Sequence, residues 1–237
     1  QLHRRQRQMC IRDSADAGSF KEIRGLVGSG QYDDSLQLQG FMPKGAVEGT
    51  ARIDGRKAII TAGDFTVRGG SASTSGRGSI GDEPSAADRA QRWRLPYIRL
   101  LDAAGGSVRG FEELGRTYLP DGNSWVQTEV ALLSEVPVVS AVLGSVAGLP
   151  AVDAPLSHFS VMVEGMSQIF PGGPPVVKAA LGYDITKEEL GGDHIHVRQS
   201  GCIDNLAKTE ADAFDQIRRF LSYLPPNVHE MAPRGET

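Results

Sequence analysis

Two glycine pairs stand where apolar runs stop. Leu100-Leu101-Asp102-Ala103-Ala104-Gly105-Gly106-Ser107 ends such a run and opens a Gly-Gly turn. Glycine lets the backbone approach a ligand and turn its N–H groups outward. Two such N–H groups can hold a developing oxyanion, each donor being worth roughly 3–4 kcal/mol in other enzymes. The same residues also read as a plain tight strand-to-helix turn. Leu143-Gly144-Ser145-Val146-Ala147-Gly148 repeats the logic after the next apolar run. A helix starting there would aim its dipole into the same cleft; close helix–strand packing is the alternative. In Phe65-Thr66-Val67-Arg68-Gly69-Gly70-Ser71, the glycines either line a ligand channel or sit in a flexible loop. Neither of the first two strings fits the dinucleotide pattern G-x-G-x-x-G or the phosphate loop G-x-x-x-x-G-K.

Asp193-His194-Ile195-His196 invites a metal reading. On a strand both imidazoles would face one way, but Asp193 would point to the opposite side. With no third strong ligand at usable spacing, the histidines read as hydrogen-bonding groups and no metal is expected. Cys202, between Gly201 and Ile203, reads as a small buried hydrophobe. No G-x-S-x-G elbow supplies a serine nucleophile.

The elements that must carry these residues alternate. A short strand at Ala51–Ile53 turns at Asp54-Gly55, a pair that tolerates positive φ, into a second strand at Lys57–Val67. A Gly/Ser loop spans Arg68–Gly78. A helix over Pro84–Leu95 precedes an apolar strand at Pro96–Leu101. A helix over Glu112–Ser134, interrupted near Pro120-Asp121-Gly122, precedes a buried strand at Val136–Leu143. Further on come a helix at Leu149–Leu156, strands at His158–Glu164 and Gln168–Phe170, and a helix from Gly172-Gly173-Pro174-Pro175 to Leu181. The helix at Thr209–Leu221 sets Phe214, Ile217, Phe220 and Leu221 on one face. Strands alternating with helices through glycine turns argue for an α/β fold.

Composition narrows the function. The net charge of −4 argues against non-specific nucleic-acid binding. No run reaches the roughly 18 apolar residues of a spanning helix, so no membrane partner is expected. Two cysteines, Cys10 and Cys202, make neither a disulfide framework nor a zinc quartet, and a reducing cytoplasm is the default compartment. Residues 1–14 hold four arginines against Asp13 and share no periodicity with the rest of the chain. They read as a non-native or disordered segment that packs against nothing. The domain then runs over 15–233, with 234–237 as the start of a linker.

Six segments together resemble one family. They are Ala17-Gly18-Ser19-Phe20, Gly49-Thr50-Ala51-Arg52-Ile53-Asp54-Gly55-Arg56, Asp64 to Ser71, Asp102 to Arg109, Gly173-Pro174-Pro175-Val176-Val177-Lys178 and Thr186-Lys187-Glu188-Glu189-Leu190-Gly191-Gly192. In order and spacing the chain is similar to the carboxyltransferase (beta) subunit of biotin-dependent acyl-CoA carboxylases, the propionyl-CoA and methylcrotonyl-CoA group.

The resemblance implies a crotonase-like fold of stacked βαβ units, here one half of a tandem pair. It implies that Gly105 and Gly106 are the main-chain oxyanion pair, and that Gly69, Gly70, Ser71, Ala147, Gly148 and Gly173 bind substrate. The family usually reads Asp-Ser-Gly-Gly-Ala-Arg where this chain reads Asp-Ala-Ala-Gly-Gly-Ser-Val-Arg. Pro150 follows the second turn and has no N–H, so a donor there must be Gly148 or Leu149.

The implied reaction moves CO₂ from carboxybiotin to the α-carbon of an acyl-CoA. Biotin would ride on a separate carrier, with a biotin carboxylase subunit and a homo-oligomer, hexameric in the family, as partners. The first half would hold acyl-CoA and the second half the biotin side, so this chain alone is expected to be inactive. A decarboxylase running the transfer in reverse, or a fragment that only binds CoA or assembles, are the alternatives. The compartment would be cytoplasm, or the mitochondrial matrix in a eukaryote.

Overall fold

The longest apolar runs of the chain become the centre of one eight-stranded sheet. The computed structural model describes residues 10–25, 27–43, 45–70, 84–106 and 123–232. Strands β1 (Lys21–Ile23), β2 (Gly28–Tyr32), β3 (Leu38–Pro43), β4 (Ala46–Ile53) and β5 (Arg56–Gly63) come first. Helix α1 (Ala86–Trp93), β6 (Tyr97–Ala103), α2 (Asn123–Leu132) and β7 (Val138–Ala147) follow. Then come α3 (Pro150–Asp153), β8 (Phe159–Val163), β9 (Gln168–Phe170), α4 (Pro174–Leu181), α5 (Lys187–Gly191), β10 (Asn205–Ala207) and α6 (Glu210–Ser222).

The sheet order is β1-β4-β5-β6-β7-β8-β10, and β9 pairs with β7 off this path. β1, β4 and β5 are antiparallel neighbours; from β5 to β10 every pairing is parallel. Parallel strands covered on both faces read as unbroken apolar runs, and β6 and β8 are buried along their whole length. Strand β7 serves two partners: Val139–Val142 pair with β8, while Ser145–Ala147 pair with β9. Between them its register against β6 jumps, from Leu101↔Val142 to Ala103↔Val146. Bulges of this kind commonly re-aim a strand beside a functional site.

Helix boundaries follow their caps. Ser85 and Asp88 form a reciprocal capping box at the start of α1, and Thr186 and Glu189 do the same for α5. Thr209 caps α6, whose Phe214, Ile217 and Leu221 face the main core with Phe159, Val161 and Val139. The Phe220 ring stacks on Phe159 at 4.9 Å between centroids.

Several expectations change. The strand expected at Val136–Leu143 starts at Val138 and continues to Ala147, where β9 and the end of β6 pair with it. The helix expected over Leu149–Leu156 is the four-residue α3. Asp193–His196 does not form a strand; His194–Gln199 is a π-helical turn, closed by the Ser200 N–H on the Ile195 carbonyl at 2.8 Å. Residues 10–14 are helical, and Ile11, with none of its surface exposed, lies in the main core beside Val47 and Ile53. The expectation that 1–14 packs against nothing therefore fails for 10–14: the packed unit begins ahead of Ala15. The charge run hid one apolar anchor. The strands β1 to β3 had no sequence signal beyond their glycines. The loop from Ser71 to 83, residues 107–122 and the linker at 234–237 lie outside the described residues.

Candidate active site

The parallel strands deliver their C-terminal ends to one place. Asp64 begins it. Its carboxylate accepts the Thr66 N–H at 3.0 Å and the Thr66 hydroxyl at 2.5 Å, and its carbonyl accepts the Val67 N–H. That local network winds Arg68–Gly70 into a 3₁₀ turn, with Gly69 at φ +61°. Gly70 lies against the end of β6: a Cβ there would stand 2.9 Å from the Ala103 Cα and the Ala104 N, and 3.1 Å from the Phe65 ring.

Beyond β6 the chain turns at Gly105, with φ +76°, a conformation other L-residues rarely adopt. A Cβ on Gly105 would meet the Ala147 carbonyl oxygen at 2.7 Å and the Gly148 Cα at 3.2 Å. Gly148, also left-handed at φ +71°, approaches the Gly105 Cα equally closely. The two glycine turns read from the sequence are thus in backbone contact. Between them, Asp102 lays its carboxylate over Gly144, 2.5 Å from where a Cβ would be, which explains a small residue at the β7 bulge.

The N–H groups differ in their fate. Among the described residues, no hydrogen bond occupies the N–H of Gly105 or Gly106. The Gly148 N–H is taken, by the carbonyls of Phe170 at 3.2 Å and Pro171 at 3.1 Å. So the second turn contributes shape, and its glycine is no donor. Gly173 is the N-cap of α4, packed 3.3 Å from the Phe170 ring by the same measure. The region around β9 thereby joins Ala147, Gly148 and Gly173 to the end of β6. Ser71 lies outside the described residues.

Two polar features near the site had escaped sequence reasoning. One is buried beneath it. Arg99, 2% exposed on the otherwise apolar β6, donates to Ser140 Oγ at 3.0 Å, Glu129 Oε2 at 3.0 Å, Ser157 Oγ at 3.1 Å and the Leu156 carbonyl. Asp153 of α3 stands 3.8 Å away. The guanidinium also lies 5.6 Å over the Tyr97 ring. Burial first, and then the Glu129 carboxylate, push the Tyr97 hydroxyl above its ordinary range, so it stays protonated. This network pins α3, and with it the turn at Gly148, to β6 and α2. The only sequence signal was a charge inside an apolar strand.

The other feature is a half-buried chain of hydrogen bonds. Lys187 Nζ reaches Ser145 Oγ at 3.1 Å, Ser145 Oγ reaches Gln168 Oε1 at 2.6 Å, and Gln168 reaches Glu188. It ties α5 to β7 and β9 and sets an ammonium three residues before Gly148.

The Asp193 and His196 groups are each engaged. Asp193 accepts the Gly165 N–H at 3.0 Å, and His196 faces Cys202 Sγ and the Ile169 carbonyl with its two nitrogens. Cys202 is exposed, contrary to its reading as a buried hydrophobe, and it follows Gly201, which is left-handed at φ +65°.

With this geometry in hand, similarity to known proteins becomes specific. Residues 6–237 match the family described as the carboxyl transferase domain. The chain is 35% identical over 222 residues to the biotin-dependent acetyl-/propionyl-coenzyme A carboxylase beta5 subunit of Mycobacterium tuberculosis, covering 92% of this chain and 39% of that one. It is 33% identical to the mitochondrial methylcrotonoyl-CoA carboxylase beta chain of Dictyostelium discoideum, covering 88% and 34%. Among solved structures, the transcarboxylase 12S hexamer core with methylmalonyl-coenzyme A superposes at TM-score 0.80 and 26% identity, over 96% of this chain and 43% of that chain. The chain spans about two fifths of the length of the curated relatives it matches. The mixed sheet with its parallel core is the crotonase-like architecture of those carboxyltransferases. By sequence and by fold, the chain belongs to the carboxyl transferase domain family.

Proposed function

We propose that this chain is the acyl-CoA-holding part of a biotin-dependent acyl-CoA carboxylase carboxyltransferase. The observation that carries the reading is the pair of unoccupied N–H groups at Gly105 and Gly106, at the C-terminal end of a buried parallel strand. A thioester carbonyl bound there gains negative charge on oxygen as its α-carbon loses a proton. Two fixed donors in a backbone turn stabilise that charge without reorganising. Gly105 turns in the left-handed region, and Gly148 must lack a side chain for Gly105 to fit. Gly69, Gly70, Ser71, Ala147, Gly148 and Gly173 form the proposed walls for the thioester and its CoA arm. Biotin, on its own carrier, supplies the carboxyl group that the α-carbon takes up. The homo-oligomer, the carrier partner and a cytoplasmic or mitochondrial-matrix location belong to the same reading; the hexamer of the transcarboxylase 12S structure, the biotin-dependent name of the Mycobacterium tuberculosis relative and the mitochondrial name of the Dictyostelium discoideum relative support it.

The reverse direction is the second reading. The chain is 31% identical to methylmalonyl-CoA decarboxylase subunit alpha of Propionigenium modestum, over 92% of this chain. Decarboxylation develops the same oxyanion, so the same N–H pair would serve it.

The test is Gly106→Pro in the protein that carries this chain, with Gly106→Ala beside it. Proline deletes the N–H and alanine keeps it. Loss of one such donor is expected to lower kcat by about 10²–10³-fold for proline only. Carboxyl transfer from methylmalonyl-CoA to free biotin is the readout. Equal rates for the two variants overturn the assignment.

A further inference from the structure

A nucleophile and a base meet outside the carboxyltransferase site. His196 Nε2 lies 2.7 Å from the Ile169 carbonyl oxygen. A carbonyl only accepts, so this nitrogen carries the proton. In the neutral ring Nδ1 is then a bare lone pair, and it faces Cys202 Sγ at 3.2 Å. Ser200 Oγ stands 3.3 Å from the same sulfur, able to donate its hydroxyl proton to a thiolate. Nucleophile, base and a third group that orients the base are the parts by which activated thiols are recognised.

The arrangement is rigid and open at once. Ile203, beside Cys202, is 1% exposed and packs in the core cluster that also takes Val197 from the π-helical turn. The Ile203 N–H closes on the His196 carbonyl at 3.1 Å, so the two chain segments are clamped together. Cys202, between these anchors, is an exposed residue. Single π-helical turns are rare and recur at functional sites. Cys10 packs against a different core cluster, with Ile11 and Val47.

We propose that Cys202, His196 and Ser200 form a modification site at which Cys202 is oxidised by hydroperoxides to a sulfenic acid. The Cys202 thiol passes its proton to His196 Nδ1. The sulfur attacks the nearer peroxide oxygen, and the O–O bond breaks. The departing oxygen takes the bond pair and the proton from Nδ1 and leaves as water or an alcohol. Sulfur is oxidised by two electrons and the peroxide is reduced by two. A peroxide needs a sulfur nucleophile and a proton carrier for its leaving oxygen, and Cys202 Sγ and His196 Nδ1 stand 3.2 Å apart.

The experiment exposes the native chain to hydrogen peroxide, traps sulfenic acid with dimedone, and reads each cysteine by peptide mass spectrometry. Cys202 is expected to label about tenfold faster in the native chain than in the urea-unfolded chain. His196→Gln keeps a donor for the Ile169 carbonyl and removes the base, and it should bring Cys202 down to the unfolded rate. Native Cys202 reacting no faster than unfolded Cys202 overturns the proposal, as does an undiminished rate in a folded His196→Gln. Should that variant fail to fold, the comparison of native with unfolded chain decides alone.

Discussion

Gly105 and Gly148 test the site at the scale of single residues. Each is left-handed, and each sits where the other's backbone would meet a Cβ. Gly105→Ala is expected to cost about 1–2 kcal/mol from the backbone conformation alone, with the contact to the Ala147 carbonyl added to it. Urea denaturation is the check; a variant as stable as the parent would mean that the turn relaxes freely. Arg99 is the other decisive residue. Arg99→Met leaves Glu129 and Asp153 without the guanidinium they share, and breaking a buried pair in this way costs about 3–5 kcal/mol. The double variant with Glu129→Gln should recover part of that loss in the same denaturation experiment. Purely additive losses would place the stabilisation elsewhere.

At the scale of elements, the docking of α6 depends on a carboxylate. Asp16 accepts the Gly55 N–H at 2.7 Å and the Asp54 N–H at 2.9 Å, and Arg218 of α6 lies 3.3 Å from it. The Gly55 N–H first, helped by the Asp54 N–H and Arg218, holds the Asp16 carboxyl below its ordinary value, against a desolvation effect second only to the Gly55 bond. A carboxyl depressed in the folded state adds stability that is present above its unfolded pKa. That stability is lost as pH falls through the folded pKa. Asp16→Asn should therefore be less stable than the parent at neutral pH, with the gap closing below the ordinary aspartate range. Thermal melts across pH read this directly; a gap that widens on acidification contradicts it.

For the whole molecule, the question is what covers its apolar outer surface. No residue of α4 is buried; Val176 is 54% exposed and Leu181 65%, and Tyr183 follows at the same edge. Leu149 and Val152, beside the Gly148 turn, are also open. Exposed apolar residues grouped in this way mark interaction surfaces. The isolated chain is expected to self-associate at micromolar concentration, and Val176→Lys with Leu181→Lys should reduce it. Light scattering that finds a stable monomer in the parent contradicts the expectation. Among the described residues no helix is long and apolar enough to cross a membrane.

What sequence alone determined was local or periodic. Asp54-Gly55 had to turn, unbroken apolar runs had to become covered strands, and Phe214, Ile217 and Leu221 had to share a helix face. Six short segments in register carried the family, because backbone-made sites constrain glycine and its neighbours one position at a time. Tertiary structure decided whatever depends on partners far along the chain. The pairing of β9, and of Ala103 at the end of β6, extends β7 past its expected end, and the Phe170 and Pro171 carbonyls remove Gly148 from the donors. The residues that Arg99 meets come from α2, β7 and the segment that begins with α3, so no sequence window holds them. Ile11 lies inside an arginine-rich run whose composition spoke for solvent, yet one apolar side chain filling a core gap outweighs its exposed neighbours. Cys202 and His196 are six residues apart, and it took a π-helical turn and a left-handed Gly201 to bring sulfur and imidazole together.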